Sequence, residues 1–428
     1  MTEKLEMENG APRPLAQPNG PYKAEPVTKT DEGAEPSPVL FPVIGISAGL
    51  FAANLYYAQP LITTIARDLN LKSEFAGSVV SASQFGYGLG LFLLVPLADI
   101  VENRRLVLIC SILALAGIIG IATARSAMAF LCFAMIVGVF SSGTQILIPY
   151  LSHLIPDERR GRILGGIMAG ILTSIMLARP TALFVAAASG WRVVYYLSAV
   201  ATMLTGVVLW RLMPQHHPKE RTHYLRALST MFVLFASQSD VRWRAMYQAI
   251  LFATFTMFWA VVPILLAERY GLDKTAIGLF SLVGMAGAVA ALLAGRIADR
   301  GGSWSGTVSA SLVLAGSFLL SSWSIYMAIP VALVAASLLI DGSVQVSQML
   351  SRVVVLDVAP EIRGRINGMY MTIVYVSGAL GSVLGVSVYV TWGWHAVAAL
   401  GAAGGIAVFA GLLIEKARRH TSPAEPRR

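Results

Sequence analysis

The sequence predicts an all-α integral membrane protein of twelve transmembrane helices, arranged as two six-helix bundles. Three observations carry that expectation: a composition too apolar for water, apolar runs of spanning length, and an internal repeat dividing the runs six and six. Of 428 residues, 56% are hydrophobic and 13% charged, with mean hydropathy +0.68. Soluble domains hold about 45–50% apolar and 25% charged residues. So few charges cannot coat a water-soluble surface on a chain this long, and the bilayer is the expected solvent.

A spanning helix needs roughly 20 apolar residues. Runs of that kind fall at 39–63, 75–98, 106–124, 127–152, 163–187 and 192–213. A second set falls at 245–267, 276–298, 305–323, 326–350, 366–390 and 394–414. Residues 1–38 are polar, proline-rich and net acidic, without the apolar stretch of a signal peptide, and read as a disordered cytoplasmic tail. The segment 415–428 reads as a second cytoplasmic tail.

Between the sets, 214–244 carries His216, His217, Lys219, Arg221, His223, Arg226, Arg242 and Arg244. It reads as a solvated basic cytoplasmic linker, although histidines can also ligate metal or sense pH. Cys110 and Cys132 both lie inside apolar runs, which implies no disulfide framework, and no cofactor or metal is expected.

The net charge of +9 is spread over short loops, which reads as topology and excludes a nucleic-acid surface. With a cytoplasmic amino terminus, about 24 cations face the cytoplasm and about 6 face outward, which satisfies the positive-inside rule. Both termini are then cytoplasmic.

The repeat is the most informative feature. Pro156-Asp157-Glu158-Arg159-Arg160-Gly161-Arg162-Ile163-Leu164-Gly165 returns as Pro360-Glu361-Ile362-Arg363-Gly364-Arg365-Ile366-Asn367-Gly368. A shift of 203 residues pairs Glu158 with Glu361, Arg160 with Arg363 and Arg162 with Arg365. It also pairs Pro60 with Pro263, Gln145 with Gln348 and Trp191 with Trp394. A shift of 200 lays Ala98-Asp99 on Ala298-Asp299. The order is kept, so the halves form a parallel repeat related by an axis along the membrane normal, with a solute site between them near the midplane.

These residues resemble the major facilitator superfamily over 39–414. The family's signature between its second and third helices, G-x-L-A-D-R-x-G-R-R, stands here as Val95-Pro96-Leu97-Ala98-Asp99-Ile100-Val101-Glu102-Asn103-Arg104-Arg105. Leu97, Ala98, Asp99 and the final arginines match; Val95, Ile100 and Glu102 depart. The second copy, Gly295-Arg296-Ile297-Ala298-Asp299-Arg300-Gly301, keeps Gly-x-x-x-Asp-Arg. Asn54-Leu55-Tyr56-Tyr57-Ala58-Gln59-Pro60-Leu61 is similar to bacterial sugar- and nucleoside-efflux members. Efflux members often carry an arginine in the fourth helix, yet 127–152 has none. Ala178-Arg179-Pro180-Thr181-Ala182-Leu183 stands where their Gly-Pro-x-x-Gly-Gly falls.

The resemblance implies a secondary transporter working by alternating access, expected to export a sugar-, nucleoside- or drug-like solute against protons. Uptake of a small polar solute is the alternative. It also implies that Asp99 caps the eleventh helix near residue 366. Arg104, Arg105, Glu158, Arg160, Arg162, Asp299, Arg300, Glu361, Arg363 and Arg365 then form gating latches, or else serve only topology.

Asp341, Gln345, Gln348 and Arg352 are spaced i, i+4, i+7, i+11 and share one helical face, costly against lipid and tolerable against a wet cavity. Asp341 is a candidate for proton coupling or for holding a substrate amine; a structural ion pair or a gate stays open. Arg179 has three readings: an ion pair with Asp341, expected to differ in depth by about 10 Å, a substrate contact, or bonding to carbonyls.

Asn54, Tyr57, Gln59, Gln84, Gln145, Gln248 and Trp259, with Arg179, Gln345 and Gln348, are the expected solute contacts. Such amides, phenols and an indole suit neutral polar solutes, but each could equally join helices. Gly86, Gly88 and Gly90 follow no strand, so they read as helix packing and not a nucleotide loop. No Walker loop or H-E-x-x-H occurs, and the chain is not expected to be an enzyme. The expected partners are a small solute, protons and the bilayer of a bacterial inner membrane, with one chain sufficient.

Overall fold

The computed structural model of the protein describes residues 39–147, 155, 157–214, 223–285, 290, 302–358 and 360–421. Side chains are described except at 157–162, 164, 285, 360, 361 and 419–421. Among the described residues, nine helices are long and apolar enough to cross a membrane. The ninth, Pro360–Thr421, is two helices meeting at Gly393, whose φ of 76° interrupts the helical backbone. The first and eighth spans complete the twelve; each is broken or only partly described, which keeps it below the length of a single spanning helix.

The first span shows how local chemistry shapes the centre of the protein. Leu40–Ala53 is helical, 54–58 turn, Gln59–Leu61 form a 3-10 turn, and Ile62–Asp68 resume the helix. Pro60 has no N–H to give the preceding turn, so the chain loosens there. Non-helical backbone at membrane depth is tolerated only when enclosed by protein, and Asn54–Leu61 are buried throughout.

Spans two to six are Ser78–Ala98, Asn103–Thr123, Ala127–Leu147, Asp157–Ser189 and Trp191–Leu212. Spans one, five and six pack together, four packs on two and three, and three on six, which closes the first bundle. The basic stretch after it contains a helix, Tyr224–Ser237, and span seven begins at Ser239 and runs to Tyr270. Span eight opens with Lys274–Ser281 and a 3-10 turn at Leu282–Met285. Spans nine and ten are Ser303–Met327 and Pro330–Leu356. Asp273 starts span eight by accepting from the Ala276 N–H at 2.8 Å, a standard satisfaction of an orphan helix donor.

The repeat is visible in the backbone as well. Gly190 and Gly393, 203 residues apart, both have positive φ, 89° and 76°, and each is followed by a tryptophan opening the next span. A side chain at either position would meet the steric penalty of the left-handed region. Pro60 and Pro263 differ: the first breaks its span, and the second sits inside a continuous helix.

Small residues set how closely the spans approach. Gly86 and Gly90 of span two lie against the Met135 and Val139 carbonyls of span four, and Gly88 on the other face meets Val376 of span eleven. The alternation follows from 100° per residue: positions four apart share a face, and the one between them points away. Ile112, Leu204, Leu319 and Leu380 are exposed on the outside of the bundles, as lipid-facing positions are.

The halves meet through span two on span eleven and through span five on span eight. At one end the Ser382 hydroxyl donates to the Gly77 carbonyl at 3.3 Å; midway Thr372 donates to Gly88 at 3.2 Å. At the other end Arg365 meets Asp99 at 3.2 Å.

Candidate functional site

The loosened first span turns the Gln59 side chain toward span five, where its carbonyl oxygen accepts from Arg179 Nε at 2.9 Å. Arg179 precedes a helix-internal Pro180 and is 4% exposed. Its guanidinium lies 4.2 Å from the centroid of the Trp259 ring, and 5.4 and 5.5 Å from those of Tyr56 and Phe255. Cation–π contacts inside a desolvated site reach about 2 kcal/mol. The Trp259 indole N–H donates in turn to Asp341 Oδ1 at 3.2 Å. One indole therefore carries a cation on its face and an anion on its edge, joining span five to spans seven and ten across the two halves.

This corrects the expected difference in depth. Arg179 lies ten residues before Ser189 and Asp341 eleven residues after Pro330, at the same end of the bundle. Both charges meet Trp259 at that shared depth. Gly284 of span eight approaches the same point: a Cβ there would stand 3.0 Å from Arg179 Nη1 and 3.2 Å from Trp259.

The other expected solute contacts divide in two. Asn54 accepts from Ser198 at 2.7 Å, and Tyr57 packs edge-on against Tyr195 at 6.4 Å, both within the first bundle. Gln84, Gln145 and Gln248 surround the axis between the bundles. Gln145 donates to the Tyr87 hydroxyl at 3.4 Å, and Tyr87 meets Tyr375 of span eleven edge-on at 4.4 Å. Gln248 accepts from Ser347 at 3.1 Å. Gln84 is fully buried beside Gly378, and neither amide atom has a hydrogen-bond partner among the described residues. Gln345 and Gln348 are half-buried on span ten. Tyr375, Tyr370 and Phe255 carry no mark in the sequence, since an aromatic residue in an apolar run has no distinguishing pattern.

Of the expected latch, Asp99 meets the side chain of Arg365, about a turn and a half inside a helix that begins at Pro360. Arg105 pairs instead with Glu102 at 2.6 Å, and Arg104 donates to the Trp210 carbonyl at 2.5 Å, both within the first bundle. Arg363 donates to the Val358 carbonyl at 3.2 Å. Asp299 and Arg300 lie outside the described residues, as do the side chains of Glu158, Arg160, Arg162 and Glu361.

With Asp99 49% exposed, the Asp99–Arg365 pair is worth at most about 1 kcal/mol. Asp99→Asn should move the melting temperature of purified protein by no more than about 2 °C. Asp99→Arg, facing a second arginine, should slow transport further, and adding Arg365→Asp should recover it. No recovery in the swapped pair would show that the contact across the halves is incidental.

The sequence pattern of the Major Facilitator Superfamily matches residues 44–351 and, in a second match, 246–428. The chain belongs to the major facilitator superfamily. Among similar superfamily members is the uncharacterized transporter YgaY of Escherichia coli O157:H7. The two are 36% identical over 374 residues, covering 87% of this chain and 94% of that one. A solved D-xylose–proton symporter superposes with a TM-score of 0.70 at 14% identity, covering 86% of this chain and 96% of that one. The nucleoside transporter NupG superposes with a TM-score of 0.70 at 15% identity, covering 88% and 99%. At such identities the two structures establish the fold: twelve helices in two six-helix bundles. A superfamily member of this build is a multi-pass membrane transporter of small solutes.

Proposed function

We propose that the protein exports a small polar organic solute in exchange for protons, by alternating access, from a bacterial inner membrane with both termini in the cytoplasm. The observation that supports this reading is the Arg179–Trp259–Asp341 bridge, in which a carboxylate 1% exposed answers a guanidinium of the other half through one indole.

An ionised carboxylate only accepts hydrogen bonds, whereas a protonated one also donates. A solute hydroxyl or amine that binds Asp341 uses the oxygens a proton would occupy. Solute and proton therefore exclude one another, which is the condition for exchange. Protonation also removes the charge that answers Arg179, so the bridge between the halves weakens in one of the two loaded states. A ligand shifts such a balance only through its differential interaction with the two states, and the bridge supplies one. Gln59, Gln84, Gln145, Gln248, Gln345 and Gln348 orient the solute; Asn54 and Tyr57 support the broken first span; Asp99 and Arg365 steady the closed cytoplasmic end.

The test is accumulation of sugars, nucleosides, amino acids and lipophilic drugs in cells lacking their main efflux pumps. Wild type should lower at least one compound, and Asp341→Asn or a protonophore should each abolish the effect. Higher accumulation would assign uptake, and export that survives both treatments would sink the proton-exchange reading.

A further inference from the structure

One charge in the pathway is not used by the bridge. Arg352 ends the polar face of span ten, eleven residues beyond Asp341 and about 16 Å further along the helix. That separation puts it out of reach of the bridge carboxylate. Other carboxylates pair with other cations: Glu102 with Arg105, Asp68 with Arg192 and Asp99 with Arg365. The hydrogen-bond contact of the Arg352 guanidinium is Nη2 to the Met371 thioether sulfur at 3.7 Å, a weak acceptor. Its Nε is buried without a partner among the described residues.

The surroundings are rich in donors. Tyr370 and Tyr375 lie either side of its Met371 contact along span eleven, and Tyr375 meets Tyr87 edge-on at 4.4 Å. The buried hydroxyls of Ser351 and Tyr370 have no hydrogen-bond partner among the described residues. Guanidinium cannot discharge itself in a protein. Among the described residues no carboxylate pairs with Arg352, so a fixed cation, two phenols from span eleven and one hydroxyl from span ten make a setting that an anionic group on a solute can complete.

We propose that Arg352 is the anion-recognition residue of the pathway, and that the transported solute carries a carboxylate, phosphate or sulfate group. This rests on the transporter reading and adds the chemical class of the solute. The planar fork of arginine takes two oxygens of such a group at once, and the tyrosine hydroxyls donate to the remainder. A donor elsewhere on the same solute is then free to engage Asp341.

The first readout is the melting temperature of purified full-length protein in detergent, with sodium sulfate exchanged for sodium chloride at constant ionic strength. Sulfate should raise it by about 3 °C or more in wild type and leave Arg352→Gln unmoved. Without sulfate, Arg352→Gln should melt no lower than wild type, because no carboxylate among the described residues pairs with the charge it removes. Arg352→Lys keeps the charge and loses the fork, so it should need several-fold more sulfate for the same shift; this variant decides the matter if Arg352→Gln does not fold. An equal sulfate response in wild type and both variants would overturn the proposal, as would an Arg352→Gln protein that melts several degrees lower.

The second readout is export of matched pairs, glucuronate with glucose and uridine monophosphate with uridine. Arg352→Gln should cut export of the anionic members tenfold or more. Asp341-dependent export of a neutral member, untouched by Arg352→Gln, would overturn the anion assignment and leave the exporter standing. A sulfate response that requires Arg352 without Asp341-dependent export would do the reverse.

Discussion

Arg179→Met should cut transport at least about a hundred-fold, with Arg179→Lys falling between it and wild type. The guanidinium makes two kinds of contact that methionine cannot: a hydrogen bond to Gln59 at 2.9 Å and the stack on Trp259 at 4.2 Å. Lysine keeps the charge but not the flat face or the Nε donor. Breaking a buried charge pair by removing one member costs about 3–5 kcal/mol, and each 1.36 kcal/mol is a factor of ten in rate. Full coupling of that loss to the transport step would exceed a hundred-fold. The bridge is a unit, so its members should not add: Arg179→Met with Asp341→Asn should transport no worse than Arg179→Met alone. Initial rates in inverted vesicles or proteoliposomes measure all four proteins. Rates that multiply cleanly would show that the two charges act independently and that Trp259 does not connect them.

Gly381→Val should remove the folded protein altogether. Span eleven lays Gly378, Gly381 and Gly385 along span seven, where they meet Phe252, Ala253 and Met257. The Thr256 hydroxyl donates to the Gly378 carbonyl at 2.7 Å, fixing the register of the two helices. A Cβ on Gly381 would overlap the Ala253 carbonyl, which is backbone and cannot rotate away. Overpacking typically costs roughly 1–3 kcal/mol, and a clash with a rigid helix belongs at or above the upper end. Small residues are what let membrane helices approach, since water-driven association is absent inside the bilayer. Gly316→Ala is the control, because nothing lies within 4 Å of the Cβ it would add. Size-exclusion profiles of tagged protein in mild detergent should show a monodisperse peak for Gly316→Ala and none for Gly381→Val. A normal peak for Gly381→Val would mean that the two spans can part without unfolding.

The structure changes the expected assignments where reach matters more than spacing. Arg104 and Arg105 stand beside Asp99 in the chain, yet each finds its partner within its own bundle, at Trp210 and Glu102. Arg365, 266 residues away, meets Asp99 across the halves. A long cationic side chain takes the nearest acceptor its helix geometry presents, and a loop motif does not encode that choice. The depth of Arg179 relative to Asp341 turned on where two spans begin and end. An uncertainty of four residues in a span is about 6 Å along a helix, enough to separate or join two charges on paper.

What the sequence determined by itself is set by local chemistry and by repetition. Twelve apolar runs, the loop segments that recur at 156–165 and 360–368, and the polar face of span ten each depend on residues within one helix or loop. The bilayer enforces them: backbone groups in lipid must be satisfied inside their own segment, so spans are legible one at a time. Only the tertiary structure decided that Trp259 holds Arg179 and Asp341 together, that Tyr375 of span eleven closes on Tyr87, and that Arg352 reaches the Met371 thioether. Those contacts join helices distant in the chain, and their geometry depends on how two bundles rotate against one another. That rotation is fixed by close packing at glycines such as Gly77 and Gly88, a property of paired surfaces that no single helix carries.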